Sequence, residues 1–541
     1  MDIQSVSLPL SNRLADDYLR GDPKAASFFT YLPYEEESYR QRLNWLRKQH
    51  YPHREQLADG LLAYNRQLEN DAEVFRQIEK LRHSDTYVVI GGQQAGVMTG
   101  PLYTIHKAVT LIQTARHLQE MLQVDIVPVF WIAGEDHDLE EINHLYYETE
   151  EQQLKKLKLS IKQRGRFSAS MLPVAPEEMI RFADQFLDVH PETDATASLR
   201  RLLHETAQGA DTLVEWFALL MARLFGKHGL VLVESSSPFI RSIQRPVFRQ
   251  VIEQPERMAE LLREAEHRIR LAGYEPQLEL SDRGGNLFLY EAGERLLLEY
   301  EDGRFSTKDG RNSYSREQLL GLLETEPERF SANVVTRPLS QEHIFPTLAF
   351  AGGPGEIAYW AFYKECFAAL GYQLPIILPR TSITLVDRTI ERSMKQFGLG
   401  IETVMSGFRE WQNDWLASLQ EDGLAEQFAS TRKKLAELYL PLLENVVRFD
   451  AGLSGLADKN LEMLLSQVDF LEKRVQQSLL RRHEVAVKRL KRIEAALIPE
   501  GVWQERVYSV ISYMNKYGLD FVDRLAAAPL AFGPDHKVVY L

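Results

Sequence analysis

Four short stretches put polar side chains where the chain turns out of apolar, strand-like runs. In "VVIGGQQAGVMTGP" (residues 88–101) a β-branched run stops at Gly91 and Gly92, and Gly96 and Gly100 follow. Missing side chains let a ligand approach the backbone, while Gln93, Gln94 and Thr99 offer neutral hydrogen bonds. The spacing satisfies neither the dinucleotide G-x-G-x-x-G nor the P-loop G-x-x-x-x-G-K-[ST] pattern, and a tight turn with no ligand is the plain alternative. In "WIAGEDHDLEE" four ionisable groups, Glu135, Asp136, His137 and Asp138, follow an apolar strand. They are costly to desolvate unless paired. They suit a divalent cation or a substrate amine, with His137 as a general base, or else they form an exposed acidic helix start.

The third stretch, "AFAGGPGEIAYW", repeats a glycine turn with Gly352, Gly353, Gly355 and then Glu356. In the fourth, "LPRTSITLVDR", Arg380, Thr381 and Ser382 provide a cation and hydroxyls suited to phosphate oxygens. A fifth segment, "GVWQERVYSVISYMNKYG", mixes Trp503 and Tyr508 with Arg506. Aromatics beside cations sandwich an adenine or seal a helical bundle.

These residues need a sheet to hold them. "TYVVI", the helical period Ile105, Ala108, Val109, Ile112, Ala115 behind Pro101, and "DIVPVFWIAG" read as strand, helix, strand, which favours a parallel sheet. Ligands of such sheets lie beyond the carboxyl ends of the strands. "HLYYETEEQQLKKLKLSI" reads as an inserted hairpin, and "NLFLYEAGERLLLEYEDGRFST" as a second, antiparallel insertion. The first eighty or so residues read as helical. Beyond about residue 400, Leu461, Leu464, Val468, Leu471 and Val475 open a series at spacings of three and four that runs on to Leu490, Ile493 and Leu497. Leu435, Leu438, Leu442 and Val446 suit an antiparallel partner, with Pro441 expected to kink it.

The expected division is 1–144 for a helical lead-in and the first half of a Rossmann-like core, 145–210 for the first insertion, and 211–272 for core again. Residues 273–336 are the β-rich second insertion, 337–400 core, 401–500 a helical coiled coil, and 501–541 a C-terminal segment packing back on the core.

Composition narrows the partners. A net charge of -14 argues against a broad nucleic-acid surface. No apolar run reaches membrane-span length, and the N-terminus lacks the basic and apolar regions of a signal peptide, so a cytoplasmic protein is expected. The single cysteine, Cys366, excludes an intramolecular disulfide and a multi-cysteine zinc site, and no metal is expected.

Taken in order, "GGQQAGVMTGPLYTIHK", "VPVFWIAGEDHDLEEINH", "ERFSANVVTRPLSQEHIFPTLAFAGGPGEIAYW" and "QERVYSVISYMNKYG" resemble the cysteine ligase family of bacillithiol biosynthesis over nearly the whole chain. The resemblance implies an α/β, Rossmann-like parallel core akin to class I aminoacyl-tRNA synthetases, two connecting-peptide insertions, and a coiled coil through which a homodimer forms. It implies a reaction joining cysteine to the amine of glucosaminyl malate, with ATP as expected co-substrate. "GPLYTIHKA" resembles the synthetases' His-x-Gly-His region, with Tyr103 and His106 at the two histidine positions, and "LPRTSIT" stands near the place of their second, lysine-rich signature.

On this reading His106, Asp136 and His137 act in catalysis. The two glycine loops with Tyr103, Glu135, Asp138 and Glu356 hold substrate, and Arg380, Thr381, Ser382, Trp503, Arg506 and Tyr508 hold the nucleotide. The rivals are a nucleotidylyltransferase-like enzyme acting on another small acceptor and a non-catalytic dimeric scaffold.

Overall fold

The computed structural model describes residues 1–162, 165–281, 283–419 and 423–541. The chain forms two compact units, Met1–Leu385 with Val502–Leu541, and Val386–Gly501.

Five parallel strands carry the first unit: β1 (Thr86–Gln93), β2 (Asp125–Ile132), β3 (Val231–Glu234), β4 (Thr347–Gly352) and β5 (Ile376–Pro379). Their spatial order is β5-β4-β1-β2-β3. The sheet grows from β1 in one direction, and the chain then returns to lay β4 on β1's other side. That reversal makes the carboxyl ends of β1 and β4 the switch point at which such sheets bind ligands.

The strands read as continuous apolar runs because both faces are covered. Tyr87 and Val89 of β1, with Ile126 and Phe130 of β2, enter one buried layer, whereas Val88, Ile90, Val127 and Val129 enter the other. Helix α1 (Leu102–Leu122) crosses from β1 to β2 and buries Ile105, Ala108, Val109, Ile112 and Ala115 in the first layer, as the spacing predicts. Pro101 stands at its N-cap, and Gln123 ends it in a left-handed conformation at φ 56°.

The first insertion begins with an antiparallel hairpin, His144–Glu148 against Leu154–Lys158, followed by helices Pro176–Asp188 and Thr196–Gln208. The second is an antiparallel five-stranded sheet spanning residues 284–332. After it, helix α2 (Pro354–Trp360) starts directly from β4.

One element departs from the sequence reading. Residues Asp2–Val6 form a strand paired antiparallel to His536–Tyr540, in a three-stranded sheet completed by Ile383–Val386. "DIQSV" has no apolar alternation because this strand is largely exposed, and its partner is at the other end of the chain.

The second unit is helical. Helices α3 (Leu424–Phe449) and α4 (Ser454–Arg482) lie against each other, with Arg432 donating to Asp469 at 2.8 Å and Tyr439 to Asn460 at 2.5 Å. Pro441 lies inside α3 without ending it. The apolar series breaks at His483, where α5 (Glu484–Leu497) begins.

Two glycines at the end of β1 answer to packing. A methyl on Gly91 would stand 2.6 Å from the Ala351 carbonyl oxygen, and one on Gly92 would stand 2.7 Å from that of Trp131. A methyl on Gly355 would meet nothing within 4 Å. Urea unfolding is therefore expected to find Gly91→Ala less stable by about 1–3 kcal/mol and Gly355→Ala within about 0.5 kcal/mol of the parent.

Candidate active site

At the switch point the residues leave a cavity of about 260 Å³, lined by Gly92, Gln93, Tyr103, Lys107, Trp131, Ala133, Arg337, Gly353, Pro354, Gly355, Glu356, Arg380 and Arg506. Tyr103 and Lys107 are four residues apart and therefore share one face of α1, the face toward the cavity. His106, one residue earlier than Lys107, points elsewhere and does not line the cavity.

Lys107 is the most confined charge here, with 1% of its side chain exposed. Its ammonium donates to the Gly92 carbonyl at 2.5 Å, to Gln93 Oε1 at 3.2 Å and to Glu356 Oε2 at 2.6 Å, so all three protons have acceptors. Glu356 is in the first turn of α2, where its carboxylate also accepts the Gly353 N–H at 2.8 Å and caps the helix. Burial lowers the Lys107 pKa from its ordinary value, with Glu356 opposing. For Glu356, burial pushes upward, but the charge and hydrogen bond of Lys107 and the Gly353 N–H bring it below the ordinary carboxylate value. The pair bridges β1 and β4.

Two further cations face the same space. Arg337, on helix Thr336–Ile344, donates to the Tyr359 hydroxyl at 2.8 Å, and Arg506 comes from the C-terminal segment. Among the described residues neither has a carboxylate within ion-pairing distance. Arg380 does: it grips Glu505 with two bonds of 2.7 and 2.6 Å. Glu505 also accepts from His106 Nδ1 at 2.8 Å, Ser382 Oγ at 2.8 Å and the Ile383 N–H at 3.2 Å. Burial would raise the Glu505 pKa, yet Arg380 and His106 hold it well below the usual carboxylate range. Burial in turn lowers the pKa of His106, with Glu505 opposing.

The acidic stretch after β2 builds a neighbouring cluster. Glu135 pairs with the buried Arg241 and accepts from Ser331 Oγ at 3.0 Å. Asp136 accepts from Gln94 Nε2 at 2.6 Å and from the His137 N–H at 2.7 Å. Burial opposes the Asp136 charge, but Gln94 and Arg295 bring its pKa net below the ordinary value. His137 is a third exposed, with Nδ1 3.5 Å from Arg295 Nη1. Burial and then Arg295 lower its pKa, so the ring is neutral at pH 7. Glu234, at the end of β3, is pushed up by burial to about 7. Asp138 is exposed, at the N-cap of helix Leu139–Ile142.

The structure thus divides the sequence candidates. Gly92, Gln93, Tyr103, Gly353, Gly355, Glu356, Arg380 and Arg506 line one cavity. Gln94 joins the acidic cluster, while Glu505 gathers His106 and Ser382. The remainder pack. Thr99 is buried, Gly96 and Gly100 close on each other, and Gly352 sits over Glu356. Thr381 donates its N–H to Thr110, Tyr508 accepts from the Leu102 N–H, and the Trp503 ring lies 5.1 Å from that of His536. Sequence reasoning passed over Lys107, Arg337 and Glu505. Only Lys107 had a signal, its four-residue spacing from Tyr103.

Comparison with known proteins gives the site a context. The model described as "Bacillithiol biosynthesis BshC, N-terminal Rossmann-like domain" matches residues 1–381, and that of its C-terminal coiled-coil domain matches residues 383–541. The "Putative cysteine ligase BshC" of Geobacillus kaustophilus is 40% identical over 547 residues, covering 100% of both chains. Those of Bacillus cytotoxicus and Bacillus cereus strain Q1 are 37% and 36% identical over 542 residues, again covering 100% of both chains.

Lys107→Met leaves Glu356 without its cation. Because 24% of the Glu356 side chain is exposed, the expected loss is on the order of 3 kcal/mol, the low end for a broken buried pair, read from urea unfolding. Acid acts through the same groups. Glu356 and Glu505 have folded pKa values below their unfolded value of 4.5, so their contribution is complete above that value. It is lost as pH falls through the folded values, because the unfolded chain takes up protons first. The urea midpoint should fall below pH 4.5, and fall less steeply in Glu356→Gln.

Proposed function

The chain belongs to the BshC family of bacillithiol biosynthesis, and we propose that it is a ligase joining cysteine to the amine of glucosaminyl malate, after a nucleotide has activated the cysteine carboxylate. The observation that carries this reading is the switch-point cavity, where Arg337 and Arg506 form no ion pair among the described residues and Lys107 is anchored beside them. Such a donor set suits carboxylate or phosphoryl oxygens.

At about 260 Å³ the cavity is smaller than the pockets that enclose drug-sized ligands. It fits the reacting groups of the substrates rather than an entire nucleotide. ATP would supply the driving force that amide formation in water lacks. The chain's own residues do the rest. Arg337 and Arg506 hold the anionic reactant, and Lys107, its three protons already accepted, braces Glu356 and the Gly92–Gln93 turn that line the cavity. His137, neutral at pH 7 and adjacent to Asp136, is the base assigned to take the proton from the attacking amine.

We also propose that two copies associate through the helical unit. Leu438, Leu442, Met463 and Phe470 on α3 and α4 are 77%, 53%, 62% and 54% exposed, an apolar surface at coiled-coil spacing that the described residues leave uncovered. No helix among the described residues is long and apolar enough to cross a membrane, and we assign the protein to the cytoplasm.

Purified protein given ATP, cysteine and glucosaminyl malate is expected to form bacillithiol, detected by thiol labelling and mass spectrometry. Absence of product with every nucleotide, together with no binding of either substrate, would overturn the ligase reading. Within it, Lys107→Met should lower turnover by about 10²-fold through misplaced cavity groups and His137→Ala by about 10²-fold. Light scattering should give twice the chain mass of 62.3 kDa, and Leu438→Asp with Leu442→Asp should return it to that mass.

A further inference from the structure

Gln504–Arg506 is a single tight turn that follows the helical unit in sequence, yet it is tied at several points to the turn after β5 and to the strand Ile383–Val386. Gln504 acts as a strand partner: its side chain accepts from the Leu385 N–H at 2.8 Å and donates to the Leu385 carbonyl at 2.9 Å. Glu505 turns inward and Arg506 turns toward the cavity.

We infer that Glu505 is a positioning residue of the active site, a single carboxylate that sets the placement of Arg380, Arg506 and the cavity face of α1. The inference rests on the ligase reading for its kinetic arm alone. Its support is geometric. Glu505 lies 399 residues from His106 and 125 from Arg380, so no local structure brings these groups together. Its two oxygens receive all five of the bonds described above. The bond from His106 fixes the first turns of α1, the helix that presents Tyr103 and Lys107 to the cavity. The two bonds from Arg380 hold a cavity-lining guanidinium, which also lies over the Tyr103 ring at 5.7 Å. The bond from Ser382 and that from the Ile383 N–H fix the turn after β5.

Charge selection follows from the same contacts. With Arg380 matched by Glu505 and Lys107 by Glu356, Arg337 and Arg506 are the cavity cations without a carboxylate partner among the described residues. Without the Glu505 charge, Arg380 turns to the cavity and competes for the incoming anion.

The test uses full-length Glu505→Gln and Glu505→Asp, each compared with the parent at a temperature where circular dichroism shows all three folded. Two readouts are taken: kcat and KM for bacillithiol formation, and the rate at which phenylglyoxal modifies Arg380, followed by mass spectrometry. Glu505→Gln is expected to lose about 10²-fold in kcat/KM, the size of effect seen when reacting groups are misplaced by about an ångström. Arg380, protected in the parent, should become labelled in this variant. Glu505→Asp, which keeps the charge but withdraws it by one methylene, should recover part of the loss and part of the protection.

A folded Glu505→Gln with parental kcat/KM overturns the inference, and so does one whose activity falls while Arg380 stays protected. Should Glu505→Gln not fold, Glu505→Asp decides: parental values in both readouts overturn the inference, and partial loss with partial labelling supports it. If the parent makes no bacillithiol, the labelling rates alone judge Glu505.

Discussion

A lysine ammonium and a glutamate carboxylate meet in a nearly dry seam between the first and fourth strands of a parallel sheet, and the rest of the site is arranged around them. Burying either charge alone is prohibitive, and burying both repays the cost only when the remaining hydrogen-bonding capacity is also met. Lys107 meets it with a main-chain carbonyl and the Gln93 side chain, and Glu356 with the N–H that opens its own helix. The geometry demands close approach of three strands, and hence glycine at positions 91 and 92, where a methyl would strike a neighbouring carbonyl. The switch point, where other sheets of this type present helix N-termini to a ligand, here presents a braced ion pair with Arg337 and Arg506 beside it, neither in an ion pair among the described residues.

That arrangement recruits chain segments from far apart. The helix after the second insertion brings Arg337, the turn after β5 brings Arg380, and the segment following the helical unit brings Glu505 and Arg506. The acidic stretch after β2 is stabilised in the same way, because Arg241 and Arg295 reach Glu135 and His137 from a helix and from the second insertion. The second insertion into the sheet therefore has a chemical as well as a structural consequence. It supplies Arg295, which adds to burial in lowering the His137 pKa.

The scaffold was largely legible. β-branched runs that alternate between two apolar layers, a proline at the start of α1 and apolar positions three and four apart are local signals, and the strands, helices and insertions they indicate are present. The site was less so. Gln94 and Asp136 were read from separate loops, yet bond to each other at 2.6 Å. His106 was read as a cavity residue from its place in a motif. At 3.6 residues per turn it looks away from the face shared by Tyr103 and Lys107 and toward Glu505. The glycines read as clearing space for a ligand at positions 91 and 92 also let strands pack, and Gly92 lines the cavity.

The sequence by itself determined the strand-helix-strand unit of the core, the parallel α/β class, the two interruptions of the sheet, the helical unit after them and the family to which the chain belongs. All of these follow from periodicities and turn residues that act over a few positions, or from long ordered motifs. Tertiary structure decided which charges pair and which remain available. Lys107 found Glu356, and Glu505 found Arg380, only because the chain returned to lay β4 beside β1 and sent its last segment back to the same edge. Desolvation explains why that mattered: a buried charge is stable only beside its complement, and the complement is chosen by strand order and long crossovers, which no short stretch of residues encodes.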